Sequence, residues 1–170
     1  MIDLNKLAAE IHEAAVAKGF WDVEDAEEKH LAKMISELGE VVQADRAGVM
    51  YEIEHEGAKP EGVVAELADF VMMALDMQVQ FGNEFPEQDI DTWNDAENAY
   101  KLGEETAYNV ATMLAANMLN SAELDDEDPF LVMIYVPYKW CMCNGFDLWS
   151  VIRQKMEYNK SRPALHGMNY

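Results

Sequence analysis

Apolar positions along this chain recur every three or four residues, the period of helices, and nothing alternates convincingly with period two. A first helix is expected over residues 4–18, with Leu4, Leu7, Ala8, Ile11 and Ala15 on its apolar face and Lys18-Gly19 as its stop. A second runs over about 25–47 and ends at Gly48, with Leu31, Met34, Ile35, Leu38, Val41 and Val42 as its stripe. Residues 49–60 read as a polar loop closing on Lys59-Pro60, where proline precedes the third helix without harm. Gly82, Pro86, Asp89 and Asp91 mark another loop, and a fourth helix is expected from about 94 to 119. Residues 130–144 are apolar and of helix length. Val132, Ile134 and Val136 leave room for a strand there, but one strand has no partner in this chain, so a helix kinked at Pro137 is preferred. A last helix covers about 148–159, and the tail from Ser161 is irregular. The pattern predicts an all-α bundle of about five to six helices.

The third helix, GVVAELADFVMMALDM over 62–77, stands apart. It is apolar nearly all round, as a buried helix is. Yet Glu66, Asp69 and Asp76 fall on one stripe of it, three and seven residues apart. Unpaired buried charge is costly, so something must compensate these acids. The second helix carries Glu37 and Glu40, also three apart, at the border of its apolar stripe. Two antiparallel helices joined by a short loop would set the pairs side by side. Four converging carboxylates stay ionised only with cations among them, and an all-oxygen ligand set suits Mg²⁺ or Mn²⁺. Asp76 has no place in this set; solvent at the bundle's end, a cation such as Lys155, and a longer acidic cleft are its open alternatives.

Composition narrows the setting. The 170 residues fit one domain with enough core to fold without staples. A net charge of −21 argues against nonspecific binding to nucleic acid or an anionic membrane, and a phosphate-bearing substrate would need a metal and a local basic cluster to approach. Cys141 and Cys143 are too close in sequence for a mutual disulfide and too few for structural zinc. No signal peptide or uncharged membrane-length run is evident, so a cytoplasmic setting is expected.

Glu37-Leu-Gly-Glu40 followed by Glu66-Leu-Ala-Asp69 resembles the ExxE and ExxD motifs of the MazG-like all-α nucleoside triphosphate pyrophosphatases. The wider segments HEAAVAKGFWD (12–22), ISELGEVVQADRAG (35–48), KPEGVVAELADFV (59–71) and KMEYNKSRPALHG (155–167) are similar to that family as well, in the same order. The resemblance implies one domain over 1–170 with a four-helix metal-binding core and a helical insertion at about 83–130. It implies Mg²⁺, with Mn²⁺ as substitute, held by Glu37, Glu40, Glu66 and Asp69. Water would attack the α-phosphorus of a nucleoside triphosphate, releasing pyrophosphate and a monophosphate. One carboxylate of the first motif would take the water's proton, Glu37 ahead of Glu40. A homodimer or higher homo-oligomer is implied too. The family often has two adjacent acids at the start of its first motif; Ser36 stands there in this chain, so an acid–base role at that position is lost.

The substrate side is read residue by residue. Arg153, Lys155, Lys160 and Arg162 form the basic cluster, and Lys155, Asn159 and Arg162 match the family's phosphate contacts; cations at a helix C-terminus also explain Lys160 and Arg162. Trp21, or Phe20, could stack on a nucleobase or equally staple the first helix to the second. His12 could line the same pocket or be surface. Lys33 could reach a phosphate, though an intrahelical pair with Glu37 is the simpler role. Two rivals remain. A di-iron protein would use Glu27/His30 and Glu52/His55, neither of which reads as lying in an apolar interior. A non-catalytic helical binding or assembly module would retain the acids without chemistry.

Overall fold

The computed structural model describes residues 2–55, 57–85, 90, 102–120 and 129–167. Among these residues the chain is all-helical: α1 (Leu4–Ala17), α2 (Ala26–Ala47), α3 (Val63–Gln80), α4 (Ala107–Asn120), α5 (Pro129–Cys143) and α6 (Leu148–Lys160), then a short 3₁₀ turn at Ala164–Gly167. No helix is long and apolar enough to cross a membrane among the described residues.

Local chemistry sets several ends. Asp3 caps α1 by accepting the Lys6 N–H at 2.9 Å, and Asp147 caps α6 through Ser150 N–H. α1 stops in a left-handed glycine turn: Gly19 N–H bonds to the Val16 carbonyl and Phe20 N–H to the Ala15 carbonyl. Gly48, at φ 74°, ends α2. The expected helix over 94–119 is shorter where it can be described: the chain breaks at residues 105–106, and Thr106 Oγ1 accepts Asn109 N–H, so α4 begins at Ala107. Residues 94–101 of that expectation lie outside the described ones. α5 is the expected helix and continues through Pro137.

α3 is the central element. It packs against α1, α2, α5 and α6, while α4 sits on α2 and α5. Val63, Val64, Leu67, Ala68, Phe70, Val71, Ala74 and Leu75 are fully buried, which explains why a helix with so few polar residues is stable here. Its first N–H groups are satisfied by the preceding loop, Val63 N–H by the Val49 carbonyl and Val64 N–H by the Met50 carbonyl. The approach depends on Gly62, which lies at φ 101° with loop backbone 2.9 Å from where a Cβ would stand.

α2 is rotated from its expected stripe. Leu31 and Ile35 are 40% and 55% exposed, and the buried face is His30, Met34, Glu37, Leu38 and Val41. Two polar residues displace two aliphatic ones because this face also forms one wall of a polar groove.

Gly62→Ala should cost about 3 kcal/mol in urea unfolding, from backbone strain and a collision with the Val49–Met50 loop that cannot relax without losing the α3 start.

Candidate metal and phosphate site

α1, α2, α3 and α6 enclose a cavity of about 950 Å³. Its walls carry eight of the chain's twelve Lys and Arg: Lys18, Lys29, Lys33, Lys59, Arg153, Lys155, Lys160 and Arg162. Eight acids line it too, so the walls are formally neutral in a chain of net charge −21. No described residue of α4 lines the cavity, so the central helix of the expected insertion stays behind it.

α2 and α3 run antiparallel along the groove, which sets His30 by Asp76 at one end and Glu40 by Glu66 at the other. One oxygen each from Glu37, Glu40 and Glu66 lie within 4.8 Å of one another. Each expected pair of acids has its own lysine. Lys33 Nζ bonds Glu37 and lies 3.7 Å from Glu40. Lys155 Nζ, from α6, lies 2.6 Å from Asp69 and 3.7 Å from Glu66. Lys155 is 1% exposed, so burial makes this pairing obligatory.

Glu37 is the most constrained acid. It is buried, and its Oε2 has no hydrogen-bond partner among the described residues. Burial, reinforced by the Asp69 charge, outweighs the bond from Lys33 and pushes its carboxyl up to about 7. Burial also raises Glu66, against the pull of Lys155. The donor set fits Mg²⁺ or Mn²⁺: it is all oxygen, and it includes a buried carboxylate oxygen left unsatisfied by the protein. Asp69 stands beside the group, held by Lys155.

The expected substrate residues divide. Lys33, Lys155, Asn159 and Arg162 all line the cavity, and Arg162 Nη1 reaches Asn159 Oδ1 at 3.5 Å. Trp21 and His12 are not among its lining residues. Trp21 stacks on His30 with 3.9 Å between ring centroids, and its Nε1–H donates to both oxygens of Asp76 at 3.1 and 3.2 Å. His12 Nδ1 lies 2.7 Å from Asp76 Oδ1. Of the two consecutive aromatics after Gly19, Phe20 lines the cavity and Trp21 does not.

Asp76 therefore neither reaches solvent nor meets Lys155. It is 4% exposed and ties Trp21, His12 and His30 together. His30 is buried as well, contrary to its expected place in a polar helix start. Its Nδ1 faces the Ala26 carbonyl at 2.9 Å and its Nε2 faces Asp76 Oδ2 at 3.2 Å. Glu27 is exposed, so the Glu27/His30 pair of the di-iron alternative does not converge; Glu52 and His55 are exposed too. His166, from the tail, was not anticipated, and it lines the cavity beside Phe20. A faint signal for His30 and Asp76 exists: His30 lies seven residues before Glu37 and Asp76 seven after Asp69, hence each on the stripe of a motif acid.

Comparison with family models, with curated proteins and with solved structures finds no match. The meaning of the site accordingly rests on its geometry and donor chemistry.

Asp76→Ala should cost about 3 kcal/mol or more in thermal or urea unfolding, because two imidazoles and an indole N–H lose a buried acceptor together. The pH dependence of the protein in chelator has a definite sign. Between 4.5 and about 7 folded Glu37 keeps a proton that the unfolded chain has released, so stability falls as pH rises through that window and levels off above it. Glu37 alone should contribute on the order of 3 kcal/mol; Glu66 acts in the same direction. Melts across pH 4–8 measure it, and Glu37→Gln should flatten the slope.

Proposed function

We propose that this protein is a Mg²⁺-dependent nucleoside triphosphate pyrophosphohydrolase, cleaving an NTP or dNTP to its monophosphate and pyrophosphate. The observation that carries the reading is Glu37: a buried carboxylate with an unbonded oxygen, grouped with Glu40 and Glu66 in the wall of a large cavity rich in cations. The motif resemblance supplies the reaction; the cavity supplies room and charge for the substrate.

Glu37, Glu40 and Glu66 would hold the cation, with Asp69 adjoining. Bound there, Mg²⁺ neutralises phosphate charge and orients the leaving group, and Mn²⁺ suits the same oxygens. Lys33, Lys155 and Arg162 offer further positive charge to the triphosphate, Arg162 with a fork of donors that Asn159 helps to place. Glu37 would accept the proton of the attacking water, since a carboxylate has two oxygens and the cation needs only one of them. Glu40, half-exposed beside it, is the second candidate for that role. A cytoplasmic setting and a homodimer or larger homo-oligomer belong to the same reading.

Pyrophosphate release from a panel of nucleoside triphosphates, with and without Mg²⁺, tests the proposal. At least one should be hydrolysed only with Mg²⁺. Glu40→Gln and Asp69→Asn should each lower the rate at least about 100-fold while the fold persists by circular dichroism. Full activity in both variants would remove the site assignment. A wild-type protein inert across the panel would favour a helical binding module.

A further inference from the structure

The groove continues past the acidic group. From Glu37 back to His30, and from Asp69 on to Asp76, each helix runs seven residues, about 10 Å of rise. That far end is walled by Phe20, Val23, His30, Met72, Met73 and His166. Asp76 lies there too, paired with His30, and beside it the wall is aromatic and thioether where the near end holds the motif acids and their lysines.

His166 comes from the tail beyond α6 and belongs to no long helix. Its ring lies edge-on to Phe20, with 4.9 Å between centroids and 85° between planes. It is half-buried, and neither ring nitrogen has a hydrogen-bond partner among the described residues. Its backbone is strained: Leu165 at φ 47° and His166 at φ 51° both occupy the left-handed region, which residues with side chains rarely adopt. The tail is held in that shape from α1. Leu165 N–H donates to the Lys18 carbonyl at 2.9 Å, and Lys18 Nζ donates to the carbonyls of Lys160 and Arg162. The strained pair thus ends in a ring whose polar edge is unsatisfied, beside an aromatic wall. Burial, with Arg162, Lys18 and Lys33 nearby, pushes the imidazole down to about 4. At neutral pH it is an uncharged ring with one donor and one acceptor.

We propose that Phe20 and His166 form a nucleobase subsite, in which a purine or pyrimidine packs into their corner and hydrogen-bonds to the His166 imidazole, so that the tail sets base preference. This rests on the nucleotide reading above. A base has apolar faces and a hydrogen-bonding edge, which matches an aromatic wall with an imidazole edge at right angles to it. A phosphate fits less well, since the ring is neutral and Lys33, Lys155 and Arg162 already offer charge. The run of about 10 Å between the two ends leaves room for the sugar between phosphate and base.

The test uses the full chain with Mg²⁺ and titration calorimetry. Nucleoside 5′-monophosphates of the common bases, which are not consumed, are compared with ribose 5-phosphate, which has no base. Wild-type protein should bind its preferred nucleotide at least about tenfold more tightly than ribose 5-phosphate. His166→Ala should weaken that nucleotide about tenfold, narrow the spread among bases, and leave ribose 5-phosphate unchanged; His166→Gln, which keeps a donor and an acceptor, should recover part of the loss. The residue lies outside the core, and equal melting temperatures would show that the variants fold. An equal loss for ribose 5-phosphate makes His166 a phosphate ligand and overturns the proposal. So does an unchanged base preference, or a wild-type protein that binds ribose 5-phosphate as well as nucleotides. Base-selective binding that depends on His166 without any pyrophosphate release would uphold the subsite and overturn the hydrolase.

Discussion

Four carboxylates facing one another across two packed helices would force α2 and α3 apart unless positive charge were placed between them. Lys33 and Lys155 supply it, one ammonium for each pair of acids. Buried ion pairs of this kind add little net stability, because desolvation offsets much of the attraction, but removing one partner leaves an uncompensated charge. Two ammoniums do not balance four carboxylates. The shortfall is visible in Glu37, whose carboxyl rises to about 7, and in the upward shift of Glu66. A groove short of positive charge at one place, with cations along the rest of its wall, is suited to a divalent ion and a polyanion together.

The rest of the architecture serves that groove. The Val49–Met50 loop finishes the start of α3, which fixes Glu66 and Asp69 within the first two turns of the helix. At the other end Asp76 bonds to groups from α1, α2 and the turn between them, so one carboxylate sets the spacing of three segments. Trp21 is part of that lock, and of these two neighbouring aromatics only Phe20 lines the cavity. The tail then returns to α1 through Lys18 and brings His166 to the same wall.

Much of this was legible in the chain itself. Helix period located the long helices among the described residues, and glycine marked the stops after α1 and α2, because these are decided by neighbours within one turn. Errors arose where a local rule met a competing one. Leu31 and Ile35 fit an aliphatic stripe, yet His30 takes the buried face to meet Asp76 on α3, and Glu37, two turns on, lies on that same face. Thr106 supplies a cap that outweighs a continuous helical pattern. Lys155 reads as part of a basic cluster, and in the fold it also holds Asp69, 86 residues away in sequence, a contact that no local pattern encodes.

The sequence by itself determined the fold class and the two acid pairs, each on a single helix face, since a residue and its neighbour three positions on are joined by helix geometry alone. Only the tertiary structure decided which pair faces which, that Glu37 is the buried acid with a free oxygen, that Trp21 is a structural anchor, and that a tail histidine reaches the groove. Burial, electrostatic shifts and contacts between helices depend on how the helices pack, and no periodicity along one helix encodes the register of another.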